Sequence, residues 1–425
     1  MAFGDLTEEV IQDTSEERKR SRQLTAAELN AFWSAPNFLS KTQLPFPDAS
    51  EPHRLALAER FRNDRRHRVT VTSKHPPPMT AFVLDEVEPG VQVDAVSVNS
   101  DASLCAGAFA SKTVVWGFDA ASSAHAVDDN GPSRIYQKLF QTHNKYRVEL
   151  PTGRGILSLD FSPDSPLLLT GSLGGNISLW SLESSQKLVS FNGLTSRTAV
   201  WDARWCPAGA YFSSGSSDGY ARIWRSDVPF PIRVLKTDSA STHCQIVRWH
   251  PSCQLVAAAT DTEVVVHDIA SPSSVFRFQC SKATALEFSP TGFLLAAANA
   301  EGITVWELNT GKAIFKWDTF TTIGGLTWSF PSTSMLGDGG LKSVTQNSGI
   351  GHPLLISVDE DGTARLWDRL FISRPSCSEF TQESKIRPLH VRMTQRNLLV
   401  VAGVSEKGFA YPCKQESGLN WGQLW

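Results

Sequence analysis

The sequence is poor in methionine and in paired cysteine: 425 residues hold 4 Met and 7 Cys, and no two cysteines stand as Cys-x-x-Cys. An odd count without such pairs argues against a disulfide framework and fits a reducing compartment, where thiols pack as small apolar side chains. Long apolar runs are missing too. Stretches such as 293–298 and 398–402 fall far short of the ~20 residues a spanning helix needs, so no membrane crossing is expected. The opening Met1-Ala-Phe-Gly-Asp-Leu-Thr-Glu-Glu9 carries acids and no apolar core, so no secretory leader is expected. An excess of one charge is also lacking. Lys and Arg number 40 against 43 Asp and Glu, which argues against a nucleic-acid coat, a membrane-surface protein or an acidic tail. What the chain does have is 41% hydrophobic residues, 13 Trp and 29 Gly. The first excludes wholesale disorder, and the other two point to a β protein with many turns.

A unit recurs along the chain: an alternating strand, a Pro or Gly turn, an apolar strand ending in small residues, an acidic or glycine turn, and a short strand closing on an aromatic. The clearest copies are 156–180 and 199–224. Closing positions fall at Trp116, Trp180, Trp224, His267, Trp306, Trp367 and Tyr411, spaced by 64, 44, 43, 39, 61 and 44 residues. Four of the six spacings match the ~40–45 residues of a WD40 propeller blade. The two long ones contain polar insertions, 118–152 and 331–352. Asp218, Asp261 and Asp361 stand six residues before a closing position, where a short side-chain oxygen can accept the turn's own N–H groups. Glycines or shorter turns replace this acid in other units, so the repeat is degenerate. The expected fold is all-β: a seven-bladed WD40 β-propeller over residues 79–415, behind a polar, partly helical N-terminal extension of residues 1–78 and before a tail of 416–425. The last unit supplies three strands, so the apolar segment 79–85 is expected to clasp the ring shut as the outer strand of the last blade.

Residues 1–78 carry 12 basic and 11 acidic side chains and no repeat. Thr25-Ala-Ala-Glu28 fits a capping box, after which Leu29, Phe32 and Trp33 share one helical face. So short a helix must dock on something or not fold, and these three residues are the candidate partner-binding anchor. The basic stretch 60–68 reads first as a solvated linker, then as a nuclear-import signal, and last as a phosphate contact, since it could neutralise only a few phosphates. Residues 79–425 hold 28 basic and 32 acidic groups, a poor surface for nucleic acid.

No Walker A loop, His-Glu-x-x-His helix or dinucleotide fingerprint is present. Gly215-Ser-Ser-Asp-Gly219 has the letters of a nucleophile elbow but joins two strands, whereas the elbow needs a strand-to-helix turn. His243, Cys244, His250 and Cys253 cluster in sequence around the first strand of the fourth unit, a position that predicts packing rather than zinc binding. The expectation is therefore no catalytic residue, no metal and no cofactor.

The third and fourth units carry a more particular likeness. Val200-Trp-Asp-Ala-Arg-Trp205, the turn and strand Asp218-Gly-Tyr-Ala-Arg-Ile-Trp224, Pro231-Ile-Arg-Val-Leu235 and Val247-Arg-Trp-His-Pro-Ser252 resemble consecutive blades of the WD40 subunit of transcription factor TFIID, the fifth TBP-associated factor. The first unit, 93–116, fits as well. The likeness covers most of residues 79–370. It implies a non-enzymatic nuclear scaffold in TFIID or a SAGA-type coactivator, with the propeller packed against histone-fold subunits. The family's LisH-like segment and helical domain have no recognisable counterpart in residues 1–78. The alternative from a different class is a substrate receptor or peptide-binding adaptor, as in a ubiquitin ligase, reading a short motif at the pore mouth. A ring of basic or aromatic residues there would favour it.

Overall fold

The computed structural model describes residues 79–83, 93–117, 146–163, 165–191, 198–236, 243–270, 274–319, 321–330, 353–367 and 386–405, with Arg68, Val71, Pro77 and Leu194 besides. Every regular element among them is a strand. Strand β1 (Met79–Val83) comes first. Then β2 (Val93–Val98), β3 (Leu104–Phe109), β4 (Lys112–Gly117) and β5 (Tyr146–Leu150) form one four-stranded antiparallel sheet in chain order. The pattern repeats in β6 (Ile156–Phe161), β7 (Leu167–Ser172), β8 (Ile177–Ser181) and β9 (Lys187–Phe191), and again in β10 (Val200–Trp205), β11 (Tyr211–Ser216), β12 (Tyr220–Arg225) and β13 (Pro231–Lys236). It continues in β14 (Cys244–Trp249), β15 (Leu255–Thr260), β16 (Glu263–Asp268) and β17 (Ser274–Gln279), and in β18 (Ala285–Phe288), β19 (Leu294–Asn299), β20 (Gly302–Glu307) and β21 (Lys312–Asp318). A sixth sheet has β22 (Ile323–Trp328), β23 (Leu355–Asp359) and β24 (Ala364–Trp367), and a seventh has β25 (Ile386–Met393), β26 (Leu399–Ser405) and β1.

These sheets are the blades of a seven-bladed propeller. The first strands β2, β6, β10, β14, β18, β22 and β25 each touch the next, and β25 and β26 return to β2. Second strands are small and apolar because they are covered on both faces: β15, Leu-Val-Ala-Ala-Ala-Thr, is buried throughout. Outer strands mix in charge because one edge meets water, as in β17, Ser-Val-Phe-Arg-Phe-Gln, where only Phe278 is buried. The core is therefore a set of seven hydrophobic clusters, one between each pair of neighbouring blades. The cluster that joins the ends of the ring packs Val400 and Ala402 of β26 against Val96, Val98, Phe109 and Trp116 of the first sheet. Fourth strand β5 lies at the end of the stretch read as the first insertion. Val148 and Leu150 point inward and Arg147 and Glu149 outward, a period-two pattern that completes the sheet and shortens the insertion to 118–145, outside the described residues.

Six of the seven inner strands carry a β-bulge at their second or fourth residue, where one extra residue is left unpaired: Asp94, Leu157, Trp201, Gln245, Gly324 and Leu389. Pro388 stands beside the last of these, on an edge whose missing N–H breaks no ladder. Blades six and seven approach closely. A Cβ on Gly325 would lie 2.5 Å from Val391 Cγ2, so only glycine fits at that seam.

β1 pairs in parallel with β26, from Met79 opposite Leu399 to Val83 opposite Gly403. The expected position was fourth, outside a strand near Tyr411; residues 406–425 lie outside the described residues, and β1 sits directly on β26. In a meander the second and fourth strands run the same way, so a segment entering in the outer strand's direction meets β26 in parallel. The boundaries expected at 78/79 and 415/416 also fall in or beside residues that are not described.

Deleting residues 79–83 leaves the edge of β26 open and should lower the melting temperature and shift the protein from monomer to aggregate in size-exclusion chromatography. An unchanged monomer would contradict closure by β1. Gly325→Ala should cost about 1–3 kcal/mol by overpacking the seam, measured by urea unfolding.

Candidate interaction site in the axial channel

Each inner strand has a sheet partner on one side only. No ladder joins the blades among the described residues, so the backbone groups on the axial edge need other partners. Side chains supply them across most seams. Ser158 Oγ accepts from Ala203 N at 2.9 Å and Asp160 Oδ2 from Trp205 N at 2.8 Å. Asp202 Oδ2 accepts from Val247 N at 3.1 Å, and Trp249 Nε1 donates to the Arg204 carbonyl at 3.0 Å. Farther round, Trp328 Nε1 donates to Glu287 O at 3.3 Å, Met393 N to Thr327 Oγ1 at 3.1 Å, and Arg392 Nη1 to Val98 O at 2.9 Å.

The same strands carry a chain of ion pairs inside the channel. Arg204 bridges Asp160 (3.7 Å) and Asp202 (2.8 Å), and Arg248 bridges Asp202 (2.5 Å) and Glu287 (3.3 Å). Burial works to raise the Asp202 carboxyl, but Arg204 and Arg248 outweigh it and hold the group below the usual aspartate range. For Asp160 and Glu287 burial wins, and both are pushed up although nearby guanidiniums oppose it. His390 is held well below the usual imidazole range by burial and then by Arg204, Arg392 and Arg248, which keeps it neutral.

All inner strands run the same way, so their bulges gather at one mouth of the channel. Asp94 is exposed there, Leu389 is 37% exposed, and Leu157, Trp201 and Gln245 are partly exposed. In ring order Leu389, Asp94, Leu157 and Trp201 come from the consecutive inner strands β25, β2, β6 and β10. The Trp201 ring meets His243 edge-on at 6.4 Å. Sequence reasoning did not single out these residues. Their signal is the second or fourth position of an inner strand, visible only once the bulges are known.

The closing aromatics lie where a structural role requires. Trp116, Trp180, Trp224, His267, Trp306 and Trp367 all stand on third strands, buried between blades, and Tyr411 lies outside the described residues. Trp180, Trp224 and Trp367 donate Nε1 to the hydroxyl ten residues earlier: Thr170 at 3.3 Å, Ser214 at 2.9 Å and Ser357 at 2.9 Å. Alanines 106 and 296 occupy that position for Trp116 and Trp306; Trp306 stacks on Phe278 at 4.8 Å instead. The turn acids differ among themselves. Asp218 binds Ser216, Tyr220 N and both Nη of Arg222, and burial, which would raise it, is outweighed by Arg222 and Ser216, so its carboxyl lies low. Asp361 caps Thr363 N at 2.9 Å, and Asp261 accepts from Gln245 Nε2 at 2.9 Å. Gly219, at φ +81°, completes the turn after Asp218.

His243, Cys244, His250 and Cys253 are not brought together as a ligand set. His250 uses its ring nitrogens on Ser252 and on the Gly292 carbonyl at 2.9 Å, Cys244 and Cys253 are buried, and His243 reaches the Ser217 carbonyl. At the end of the basic stretch, Arg68 donates to the Gln395 carbonyl at 2.7 Å and lies 5.0 Å over the Phe330 ring. That residue anchors the chain to the seam between blades six and seven. Leu29, Phe32 and Trp33 lie outside the described residues.

A WD40 family model described as "WD domain, G-beta repeat" matches residues 144–181 and 185–225. Over 188 residues, 43% of the chain, the sequence is 29% identical to transcription initiation factor TFIID subunit 5 of Caenorhabditis elegans, covering 28% of that protein. It is 26% identical over 157 residues, 36% of the chain, to pre-mRNA-processing factor 19 homolog 2 of Arabidopsis thaliana, covering 30% of it. It is also 23% identical over 250 residues, 47% of the chain, to pre-mRNA-processing factor 19 of Oryza sativa, covering 46% of it. The chain thus spans less than half the length of each of these relatives.

Ser214→Ala leaves the fully buried Trp224 Nε1 without its acceptor and should cost about 1–3 kcal/mol in denaturant unfolding. Asp202→Asn should cost about 3 kcal/mol at neutral pH, because Arg204 and Arg248 lose their shared charge. The depressed Asp202 carboxyl stabilises the fold above the ordinary aspartate value of 3.8, and this contribution is lost as pH falls through its lower folded value. Asp160 and Glu287 act with the opposite sign, since the folded state holds their protons more tightly. Acid unfolding of Asp202→Asn should therefore be flatter below pH 3.8 than that of the parent.

Proposed function

We propose that this WD40 propeller is a non-enzymatic scaffold in a nuclear transcription coactivator of the TFIID or SAGA kind, holding histone-fold TBP-associated factors. The observation that carries the reading is the similarity over 188 residues to a protein named as a TFIID subunit, on repeats that form a rigid ring. A protein-interaction scaffold is also what the fold is physically suited to. Neighbouring blades lock together through buried clusters, so the ring offers its two faces and its rim without rearranging. The near-balanced charge of residues 79–425 suits protein partners better than phosphate backbones. The reading places the protein in the nucleus with its partners.

A second reading has its own support. The channel mouth combines Trp201, Leu157 and Leu389 with the carboxylate of Asp94, the composition of a surface that grips a short peptide. That would suit a peptide-binding adaptor or a substrate receptor.

Affinity purification of the full chain from nuclear extract, followed by mass spectrometry, separates the two. Recovery of histone-fold subunits in stoichiometric amount is the expected result. Recovery of a ubiquitin ligase without them would replace the scaffold reading with the adaptor.

A further inference from the structure

The penultimate residues of the inner strands form one ring around the axis. Blades two to five supply Asp160, Arg204, Arg248 and Glu287, and the same position holds Arg392 on blade seven and Ser97 on blade one. Neighbours in this ring reach one another. Arg204 meets Asp160 at 3.7 Å, Arg248 meets Glu287 at 3.3 Å, and Arg392 Nη1 donates at 2.9 Å to the carbonyl of Val98, the residue after Ser97. Charge is not matched evenly round the ring. Arg204 and Arg248 have Asp160, Asp202 and Glu287 between them, whereas Arg392 makes no ion pair with any described residue. Two polar atoms near it are also unmatched. Val391 and Met393 pack toward blade six, so His390 and Arg392 turn together to the other face of β25, about 6.6 Å apart along the strand. Among the described residues, the buried Nε2 of His390 has no hydrogen-bond partner, and neither has Oγ of the fully buried Ser97. A buried guanidinium without counter-charge and buried polar atoms without partners are each costly, and together they call for an ion.

We propose that the axial channel binds a monovalent inorganic anion, of the chloride class, at the joint between blades seven and one, held by the Arg392 guanidinium, His390 Nε2 and the Ser97 hydroxyl. All three groups can offer hydrogens to one acceptor. The electrostatics fit a single negative charge. Burial holds the Arg392 guanidinium below the usual arginine range although Asp160, Glu287 and Asp101 oppose it, as expected of a cation short of counter-charge, and a bound anion would bring it back up. Burial first, and then Arg204, Arg392 and Arg248, keep His390 neutral. A neutral imidazole with its proton on Nε2 donates there without adding a fourth charge. Asp160 and Glu287 would repel an anion, which disfavours a dianion such as hydrogen phosphate. Burial pushes both carboxyls toward their neutral forms, which lessens the repulsion a monovalent ion meets. A metal cation would instead face three guanidiniums. The ion would tie β25 to β2, the first strands of the last and first blades, so closure of the ring would acquire a ligand of its own.

The inference goes beyond the scaffold reading and holds whichever complex the ring serves. Its test uses the full chain alone, in mixtures of sodium chloride and sodium gluconate at fixed ionic strength, with the chloride NMR linewidth and the melting temperature as readouts. The parent should broaden the chloride signal saturably. Its melting temperature should rise as chloride replaces gluconate, since an ion that binds only the closed ring stabilises it. Arg392→Gln should weaken chloride affinity about tenfold, the loss of one charge-assisted contact. Should that variant not fold, Ser97→Ala decides: it removes one hydroxyl, should match the parent's melting temperature in gluconate, and should weaken chloride affinity about threefold. Arg147→Gln, a change at a half-exposed arginine of the outer strand β5, should alter neither readout. Absence of saturable broadening, a melting temperature indifferent to chloride, undiminished affinity in a folded channel variant, or an equal loss in Arg147→Gln would each overturn the proposal.

Discussion

The structure depends on how seven inner strand edges are satisfied around one axis. Each inner strand can pair with only one neighbour, because the blades fan out and the next inner strand is turned away from it. The backbone groups on the axial edge would otherwise lack protein partners, and a buried group without one is costly. Ser158, Asp160 and Asp202 accept those N–H groups from the adjacent blade, and Trp249, Trp328 and Arg392 donate to the carbonyls. The carboxylates so placed need counter-charges, which Arg204 and Arg248 provide. Backbone satisfaction and the ion chain are thus one device.

That device also divides the channel functionally. Charges at the third to fifth positions of β6, β10 and β14 are turned on one another, and this part of the channel serves the fold. The bulge positions take no part in the ion chain, because the extra residue lies outside the ladder, and their side chains differ from blade to blade. Across six blades the bulge carries an acid, two leucines, a tryptophan, a glutamine and a glycine. Some of these residues still brace the ring, as Gln245 does by donating to Asp261 at 2.9 Å and Trp201 by meeting His243.

Closure follows from an offset between the sequence repeat and the blade. The two stretches matched by the WD40 model, 144–181 and 185–225, run from β5 to β8 and from β9 to β12. Each begins with the outer strand of one blade and ends with the third strand of the next. Every repeat is therefore stapled into two blades, and the strand preceding the first repeat has no blade of its own except the last. β1 on β26 and Val400 and Ala402 on the first sheet lie at this junction, and Arg68 on Gln395 ties the preceding chain to the last blade from its other side.

The sequence by itself determined the repeat, the all-β class and the places of the closing aromatics, because each depends on local physics: period-two burial, turn chemistry and a recurring aromatic that needs a hole between sheets. Asp218 and Gly219 were legible as a turn for the same reason. The hydroxyl partners Thr170, Ser214 and Ser357 were within reach of a ten-residue spacing rule but look like ordinary serines and threonines until the hairpin pairs them. The channel was decided only by tertiary structure. Asp160, Asp202, Arg248, Glu287 and Arg392 are far apart in the chain and carry no motif. Bulges shift register by one residue without any mark in composition, and β1 finds β26 across more than three hundred residues because only ring closure brings those two edges together.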